Sequence, residues 1–257
     1  MTANQRFFGV KDVFTTINVL GGVVAICLCI DGKPWWAGLA IMMGYAFGDA
    51  LDGVVARLLN SANEFGAEYD TIADHNAHII APAAVVYTVY RNAGLVPDPW
   101  DQVLAIALAA CIVVSASVRH ARNIVRPVKF PGIWGGLPRS VLGFMTMAYV
   151  NSALASHVVG GMWFGVVLIP LLSIATLTYW PFASHHLQRN HWVGVRILIV
   201  LSFVSSFGIL FLAPKFAFDA VFFWMSFYSL TAWLSLTRDE RHEYRSAVQA
   251  ALRGRTA

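Results

Sequence analysis

The stretch Asp49–Asp74, DALDGVVARLLNSANEFGAEYDTIAD, places four aspartates inside a chain that is otherwise strongly apolar. Asp49 and Asp52 are three residues apart, and Asp70 and Asp74 are four residues apart. Either spacing puts two side chains on the same face of a helix, one turn apart. We therefore predict two membrane helices joined by a short turn, with the four carboxylates converging where the helices meet the aqueous face.

Four carboxylates at such a position need compensating positive charge. An unpaired carboxylate within a membrane span costs about 2.5–3.5 kcal/mol, and neighbouring carboxylates also repel one another. A solvated acidic cluster, or ion pairs with Arg57 and nearby bases, is the alternative, but one arginine does not neutralise four acids. Hard divalent cations prefer several carboxylate oxygens as ligands. The charge count therefore favours a metal site.

The composition indicates a polytopic membrane protein. The 257 residues are 58% hydrophobic and 12% charged, whereas an average soluble domain is about 25% charged. The three cysteines lie in apolar runs without disulfide or zinc-ligand spacing, so we expect them to be core residues. Residues 1–12 contain no apolar core, and we expect no cleavable signal peptide.

The apolar runs predict an all-α fold with about eight transmembrane helices of about 20 residues each. We divide the chain into an N-terminal juxtamembrane segment (1–12), a transmembrane catalytic domain (13–236) and a cytoplasmic tail (237–257). The predicted spans lie near 13–30, 36–58, 70–90, 101–118, 140–156, 160–180, 193–213 and 217–236.

The basic residues predict the orientation of these spans. With both termini in the cytoplasm, 15 of the 18 lysines and arginines lie in cytoplasmic segments or at cytoplasmic helix ends. The exceptions are Lys33, Arg91 and Lys215, and this bias is the one that the positive-inside rule predicts. The same orientation puts all four aspartates at the cytoplasmic face of the inner membrane, where nucleotides are found.

The full pattern Asp49-x2-Asp52-Gly53-x2-Ala56-Arg57-x8-Gly66-x3-Asp70-x3-Asp74 resembles the signature of the CDP-alcohol phosphatidyltransferases, integral membrane enzymes of phospholipid synthesis. All eight signature positions match with the correct spacing. The resemblance implies the CDP-alcohol phosphotransferase fold, two divalent cations (Mg²⁺ or Mn²⁺) and a homodimer. It also implies these cation ligands: Asp49, Asp52, Asp70 and Asp74.

The resemblance further assigns roles within the signature. Asp74 would be the general base that takes the proton of the acceptor hydroxyl, in addition to contacting one cation. The small residues would let the nucleotide approach the cations, and Arg57 would contact the diphosphate, since guanidinium matches phosphate geometry. The positions expected to bind CDP are Asp52, Gly53, Ala56, Arg57 and Gly66.

Other stretches resemble the phosphatidylserine synthases of the same family. They include FTTINVLGG at 14–22, Ala81-Pro82-Ala83, and Gly136-Leu137-Pro138. This resemblance implies CDP-diacylglycerol as donor, serine as acceptor and CMP as product, with no nucleic-acid partner. A departure is Ala77-His78-Ile79, which stands where those enzymes usually have Ser-Phe-Gly. We expect His75 and His78 to line the helix or to form hydrogen bonds.

A basic cytoplasmic loop follows the fourth predicted span. Its bases would hold the lipid phosphate, the diphosphate or an acceptor carboxylate, or they would form a positive-inside loop that attracts anionic lipid. Arg119 and Arg122 also match part of a phosphatidylserine synthase motif. The candidates for phosphate or acceptor binding are Arg119, Arg122, Lys129 and Arg139.

Two alternatives remain open at this point. The acceptor could be inositol phosphate, glycerol phosphate, choline or another amino alcohol, because the basic loop also suits a phosphorylated acceptor. The protein could instead be a cation transporter, whose acids would line a path across the bilayer. Beyond the fourth span the only acid in the apolar region is Asp219, near the predicted outer edge, and this disfavours a transporter.

Overall fold

The computed structural model describes residues 8–51, 55, 63–128, 130–183 and 193–253. These residues are overwhelmingly helical, which confirms the predicted all-α class. The helices are α1 (Val10–Ile30), α2 (Pro34–Gly44), α3 (Glu64–His75), α4 (Ala81–Arg91), α5 (Trp100–Val125), α6 (Arg139–Val150), α7 (Ala153–His157), α8 (Gly161–Leu177), α9 (Val193–Leu212), α10 (Ala217–Ser235) and α11 (Arg238–Leu252). Two π-helical turns (Tyr45–Asp49 and Asn76–Ile80), one 3₁₀ turn (Pro214–Phe216) and two short strands, β1 (Ile133–Gly135) and β2 (Pro181–Ala183), complete them.

Helices cover most of the described residues in every stretch predicted to span the membrane. Of these described helices, α1 and α5 are long and apolar enough to cross a bilayer. The fifth predicted span differs from the structure, because its helix ends at Val150 and a separate helix begins at Ala153. Ser152 caps this second helix by accepting a hydrogen bond from the Ala155 amide at 3.1 Å. The total of eight spans stays a prediction.

Helix α1 is the centre of the first compact unit, residues 1–109. It packs against α2, α3 and α4, and small residues bring the backbones close together. A Cβ atom on Gly21 would lie 2.7 Å from the Gly44 Cα atom, and one on Gly22 would lie 2.9 Å from the Ala77 Cα atom. Neither glycine tolerates a side chain in this packing.

The π-helical turn after α2 also packs directly on α1. A Cβ atom on Gly48 would lie 2.5 Å from the Asn18 backbone nitrogen and 2.8 Å from the Phe14 carbonyl oxygen. Asn18, at this contact, is fully buried. This contact fixes the backbone immediately before Asp49.

The second compact unit, residues 110–257, is built around α6. Residues 141–150 of α6 are all buried, and α8 and α10 pack against it. Strands β1 and β2 pair antiparallel, with Ile133 opposite Ala183. The Asp219 carboxylate accepts hydrogen bonds from the Ala153 and Leu154 amides at 2.9 and 3.0 Å. Asp219 therefore caps a helix and has a structural role.

Residues 238–252 of the C-terminal tail form helix α11, and one of its side chains anchors it. Tyr244 is buried and donates a hydrogen bond to the Tyr179 carbonyl oxygen at 2.7 Å. Burial raises the pKa of the Tyr244 phenol to about 12. The hydroxyl therefore stays protonated, and able to donate this bond, throughout the physiological pH range.

Candidate active site

Two of the predicted aspartates and one histidine come together in the first unit. One ligand atom from each of Asp49, Asp74 and His78 lies within 4.8 Å of the other two. The His78 Nδ1 atom is 3.2 Å from the Asp74 Oδ1 atom. His78 is 1% exposed, whereas Asp49 and Asp74 are half-buried. The cluster therefore has a buried imidazole on one side and more accessible carboxylates on the other.

Both π-helical turns contribute directly to this cluster. Asp49 is the last residue of the turn that follows α2, and His78 lies in the turn that follows α3. A π turn adds a residue to a helical turn and occurs frequently at functional sites. The Tyr45 ring, from the first turn, packs edge-on against the His78 imidazole, with ring centroids 5.6 Å apart. The two turns therefore meet at the site.

The other signature residues are only partly described. Asp70 lies on α3 one turn before Asp74 and is half-buried, but it is outside the group of three close ligand atoms. The structure thus joins Asp49 to Asp74 without bringing Asp70 into the same group. Four signature residues lie outside the described part of the chain: Asp52, Gly53, Ala56 and Arg57.

Gly66, the remaining signature residue, packs against the start of α1. A Cβ atom on Gly66 would collide with the Lys11 side chain and lie 2.7 Å from the Asp12 Oδ1 atom. Asn63 caps α3 by accepting a hydrogen bond from the Gly66 amide at 2.7 Å. The structure therefore gives this glycine a packing role beside the predicted role in nucleotide binding.

The charged pair beneath Gly66 was not predicted. Lys11 Nζ lies 3.1 Å from Asp12 Oδ1, and both residues are buried. The second Asp12 carboxylate oxygen accepts a hydrogen bond from the Gly9 amide at 2.7 Å. The sequence placed both residues in a juxtamembrane segment, but α1 begins at Val10 and therefore includes them.

In the second unit, two of the predicted phosphate-binding arginines contact backbone carbonyls. Arg119 is buried and donates to the Gly135 and Gly136 carbonyls at 3.5 and 3.4 Å. Arg122 donates to the Gly135 and Thr178 carbonyls, both at 3.2 Å. Its guanidinium also stacks over the Tyr179 ring, 4.4 Å from the centroid. These contacts tie the loop to the end of α8.

Of the other two predicted bases, the structure describes Arg139 but not Lys129. Arg139 is half-buried, and its Nη1 atom is 3.2 Å from the His120 Nδ1 atom. Lys129 lies outside the described residues. Phosphate or acceptor binding by any of the four bases stays a prediction.

The donor set of the cluster fits a divalent cation. Carboxylate oxygens suit Mg²⁺ and Mn²⁺, and imidazole nitrogen suits the later first-row metals. Asp49, Asp74 and His78 supply both kinds of ligand atom within a distance that one ion can span. The geometry therefore supports a metal centre.

From the sequence we expected both His75 and His78 to line the helix or to form hydrogen bonds. We did not predict that His78 would join the two aspartates in a cluster. The informative spacing was that between Asp74 and His78, which are four residues apart. Residues at this spacing share a helix face. A carboxylate and an imidazole on the same face, one turn apart, are a recognisable signal for a metal site.

Comparison with known proteins places this site within a family. Residues 9–171 match the model of the CDP-alcohol phosphatidyltransferase family. This region is more than half of the chain, and the chain belongs to that family. It is therefore an enzyme, a transferase of phospholipid biosynthesis that uses a CDP-linked lipid donor and an alcohol acceptor. The family is membrane-bound and uses divalent metals, in agreement with α1, α5 and the acidic cluster.

Curated relatives from distant organisms align with much of the chain. A CDP-diacylglycerol–serine O-phosphatidyltransferase of Helicobacter pylori is 27% identical over 232 residues, which cover 88% of this chain and 91% of the relative. A protein of the same name from Methanocaldococcus jannaschii is 29% identical, covering 70% of this chain and 77% of the relative. One from Saccharomyces cerevisiae is 36% identical over 92 residues, 33% of each chain.

Proposed function

We propose that this protein transfers the phosphatidyl group of CDP-diacylglycerol to the hydroxyl of L-serine and releases CMP. The observation that carries the proposal is the similarity, over 88% of the chain, to a relative named CDP-diacylglycerol–serine O-phosphatidyltransferase. The stretches that resemble phosphatidylserine synthases, such as Ala81-Pro82-Ala83, support it independently of overall identity. The convergence of Asp49 and Asp74 supports the same chemistry.

In the proposed reaction, the serine hydroxyl oxygen forms a bond to the phosphorus that carries diacylglycerol. The bond from that phosphorus to the bridging oxygen breaks, and CMP leaves with the electron pair. Asp74 accepts the proton of the serine hydroxyl, since a positioned carboxylate can act as a general base. Bound divalent cations would neutralise charge on the phosphoryl oxygens and on the leaving CMP.

The roles of the remaining residues follow the signature. Asp49, Asp52 and Asp70 would complete a site for two cations together with Asp74. Gly53, Ala56 and Gly66 would leave room for the nucleotide, and Arg57 would contact the diphosphate. The active site would face the cytoplasm, with both termini on the same side, as the distribution of basic residues predicts. The protein would act as a homodimer, as the resemblance to the family implies.

An acceptor panel tests this proposal. Purified protein in detergent micelles receives CDP-diacylglycerol, Mn²⁺ or Mg²⁺, and one labelled acceptor in each reaction. The acceptors are serine, inositol phosphate, glycerol phosphate, choline and ethanolamine, and both labelled lipid and CMP are quantified. We expect labelled lipid and an equal amount of CMP with serine alone.

Two results would reject parts of the proposal. Labelled lipid with another acceptor but not with serine would reject the serine assignment and keep the family chemistry. Release of CMP without any labelled lipid would mean that water is the acceptor, and it would reject the transfer reaction. Asp74→Asn should form no labelled lipid in this panel, and Asp31→Asn is its control, because Asp31 is exposed at the far end of α1.

A further inference from the structure

We propose that His78 is a metal ligand of this site, so that the cation bound by Asp49 and Asp74 has one nitrogen and several oxygen ligands. The inference rests on the proposed function only in using the same metal centre. It deepens that proposal by assigning a residue outside the signature, and with it a metal preference.

The separation of the ligand atoms carries the proposal. Ligand atoms at right angles around an ion, with bonds of about 2.1 Å, lie roughly 3 Å apart. The His78 Nδ1 and Asp74 Oδ1 atoms are 3.2 Å apart, and the nearest ligand atom of Asp49 lies within 4.8 Å of both residues. One ion can therefore contact all three side chains with little movement.

The surroundings of His78 hold its ring in place for this role. The residue is 1% exposed and lies in the π-helical turn Asn76–Ile80. The Tyr45 ring packs edge-on against the imidazole. An imidazole held in this way needs no reordering to bind an ion, which lowers the entropic cost of binding. Burying a polar ring is unfavourable unless it makes a strong interaction, and a bond to an ion would be one.

A nitrogen ligand changes which ions bind well. Mg²⁺ strongly prefers oxygen, whereas Co²⁺ and Zn²⁺ gain more from imidazole, and affinity generally rises from Mn²⁺ to Co²⁺. A site with His78 as a ligand should therefore favour Co²⁺ over Mg²⁺ more than an all-oxygen site does. This preference gives a measurement that does not depend on enzyme activity.

The test is pulsed EPR of Mn²⁺ bound to the full-length protein in detergent, without substrate. A directly bound imidazole gives a ¹⁴N coupling to Mn²⁺. Protein grown with ¹⁵N-histidine should show the corresponding ¹⁵N coupling instead. This isotope comparison identifies a histidine ligand in the unaltered chain, so that the result does not depend on whether any variant folds.

Variants then identify the histidine. His78→Gln should lose the nitrogen coupling, bind Mn²⁺ about tenfold or more weakly, and lose more affinity for Co²⁺ than for Mg²⁺ in competition with Mn²⁺. His75→Gln is the matched control, because His75 is the last residue of α3, three residues before His78, and is half-buried. It should keep the coupling and the wild-type order of affinities.

Three outcomes would overturn the inference. The first is Mn²⁺ bound by the wild-type protein without nitrogen coupling, which would limit His78 to a contact with Asp74. The second is a coupling that persists in His78→Gln, and the third is an absence of Mn²⁺ binding. The acceptor panel, run in parallel, separates the two proposals. Phosphatidylserine formation without coupling rejects the His78 ligand alone, and coupling without lipid product rejects the proposed function alone.

Discussion

Lys11 and Asp12 form an ion pair that is buried against Gly66 at the start of α1. Each charge depends on the other, because a buried charge without its partner is strongly unfavourable. The pair also holds the N-terminal end of α1 against α3, the helix that carries Asp74. Its integrity therefore affects the geometry of the metal site as well as stability.

Replacing Lys11 with methionine tests this pair. Lys11→Met keeps most of the side-chain volume but leaves the Asp12 carboxylate buried without its cation. We expect the free energy of unfolding to fall by about 3–5 kcal/mol, measured by denaturant titration in detergent. Lys33→Met is the matched control, since Lys33 is exposed, and it should change stability little. An equal fall in the free energy of unfolding in both variants would contradict the stabilising role of the buried pair.

At the residue scale, two of the four predicted acids, Asp49 and Asp74, come together in the structure, but the sequence did not predict their whole environment. Regular helical spacing made Asp70 and Asp74 recognisable as a pair, and charge count indicated a metal. The burial of Lys11 was not predictable from spacing or from charge count. A short charged segment before an apolar run is usually solvated, and only the packing of α1 on α3 buries it.

Among the elements, the contact between α1 and the π-helical turn Tyr45–Asp49 matters most for the site. This contact requires Gly48, because its backbone lies against Asn18 and Phe14. Any side chain there would push the turn away from α1. Asp49, the next residue, would move with it.

We therefore predict that Gly48→Ala weakens both stability and metal binding. Overpacking of this kind costs about 1–3 kcal/mol, and Mn²⁺ affinity should fall because Asp49 is displaced. The measurements are thermal unfolding and Mn²⁺ titration. Gly208→Ala in α9 is the control, since a Cβ atom there meets nothing within 4 Å. That variant should be neutral or slightly stabilising. Unchanged Mn²⁺ affinity in Gly48→Ala would contradict the coupling.

The loop after α5 offers a second test at this scale. Arg122→Lys removes the planar fork that contacts the Gly135 and Thr178 carbonyls and stacks on Tyr179. Lysine does not reproduce that geometry, so we expect a loss of about 1–3 kcal/mol in the free energy of unfolding. Arg126→Lys, at an exposed position, should have no such effect. Loss of turnover without loss of stability would instead indicate that Arg122 binds phosphate.

The two π-helical turns show why element boundaries were only partly predictable. The apolar runs predicted continuous helices over 36–58 and 70–90, and helical structure is present over the described residues 36–51, 55 and 70–90. Both turns lie at close contacts with α1, through Gly48 in the first turn and Ala77, which packs on Gly22, in the second. A local stretch of sequence does not show which residues of other helices pack against it, so these turns were not predicted.

For the whole molecule, composition predicted the class of protein, and the number of spans stays a prediction. A chain that is 58% hydrophobic with few charges predicts membrane helices, and α1 and α5 meet the criteria of length and apolarity. Among the described residues, three predicted spans are interrupted, two by the π-helical turns after α2 and α3 and one between α6 and α7. Ser152, for example, begins a new helix inside one predicted span. Local capping therefore limits what a hydropathy window can predict.

The predicted orientation can be tested with single cysteines and a membrane-impermeant maleimide. Ser246 lies exposed on α11, and Val159 lies fully exposed between α7 and α8. With the native cysteines replaced by alanine, Ser246→Cys should react only in inside-out vesicles, because the tail is predicted to be cytoplasmic. Val159→Cys should react only in intact cells. Labelling of Ser246→Cys in intact cells would reverse the predicted topology.

The central claim is that the aspartate cluster performs the transfer, with Asp74 as the base. The most direct measurement is the turnover of Asp74→Asn with CDP-diacylglycerol and serine, alongside its binding of CDP in the presence of Mn²⁺. Asparagine keeps the shape of the side chain but does not accept the proton. We predict a loss of turnover of about 100-fold or more, with CDP binding retained at saturating Mn²⁺, since Asp49 and His78 would still hold the ion. Turnover at the wild-type rate would contradict the account.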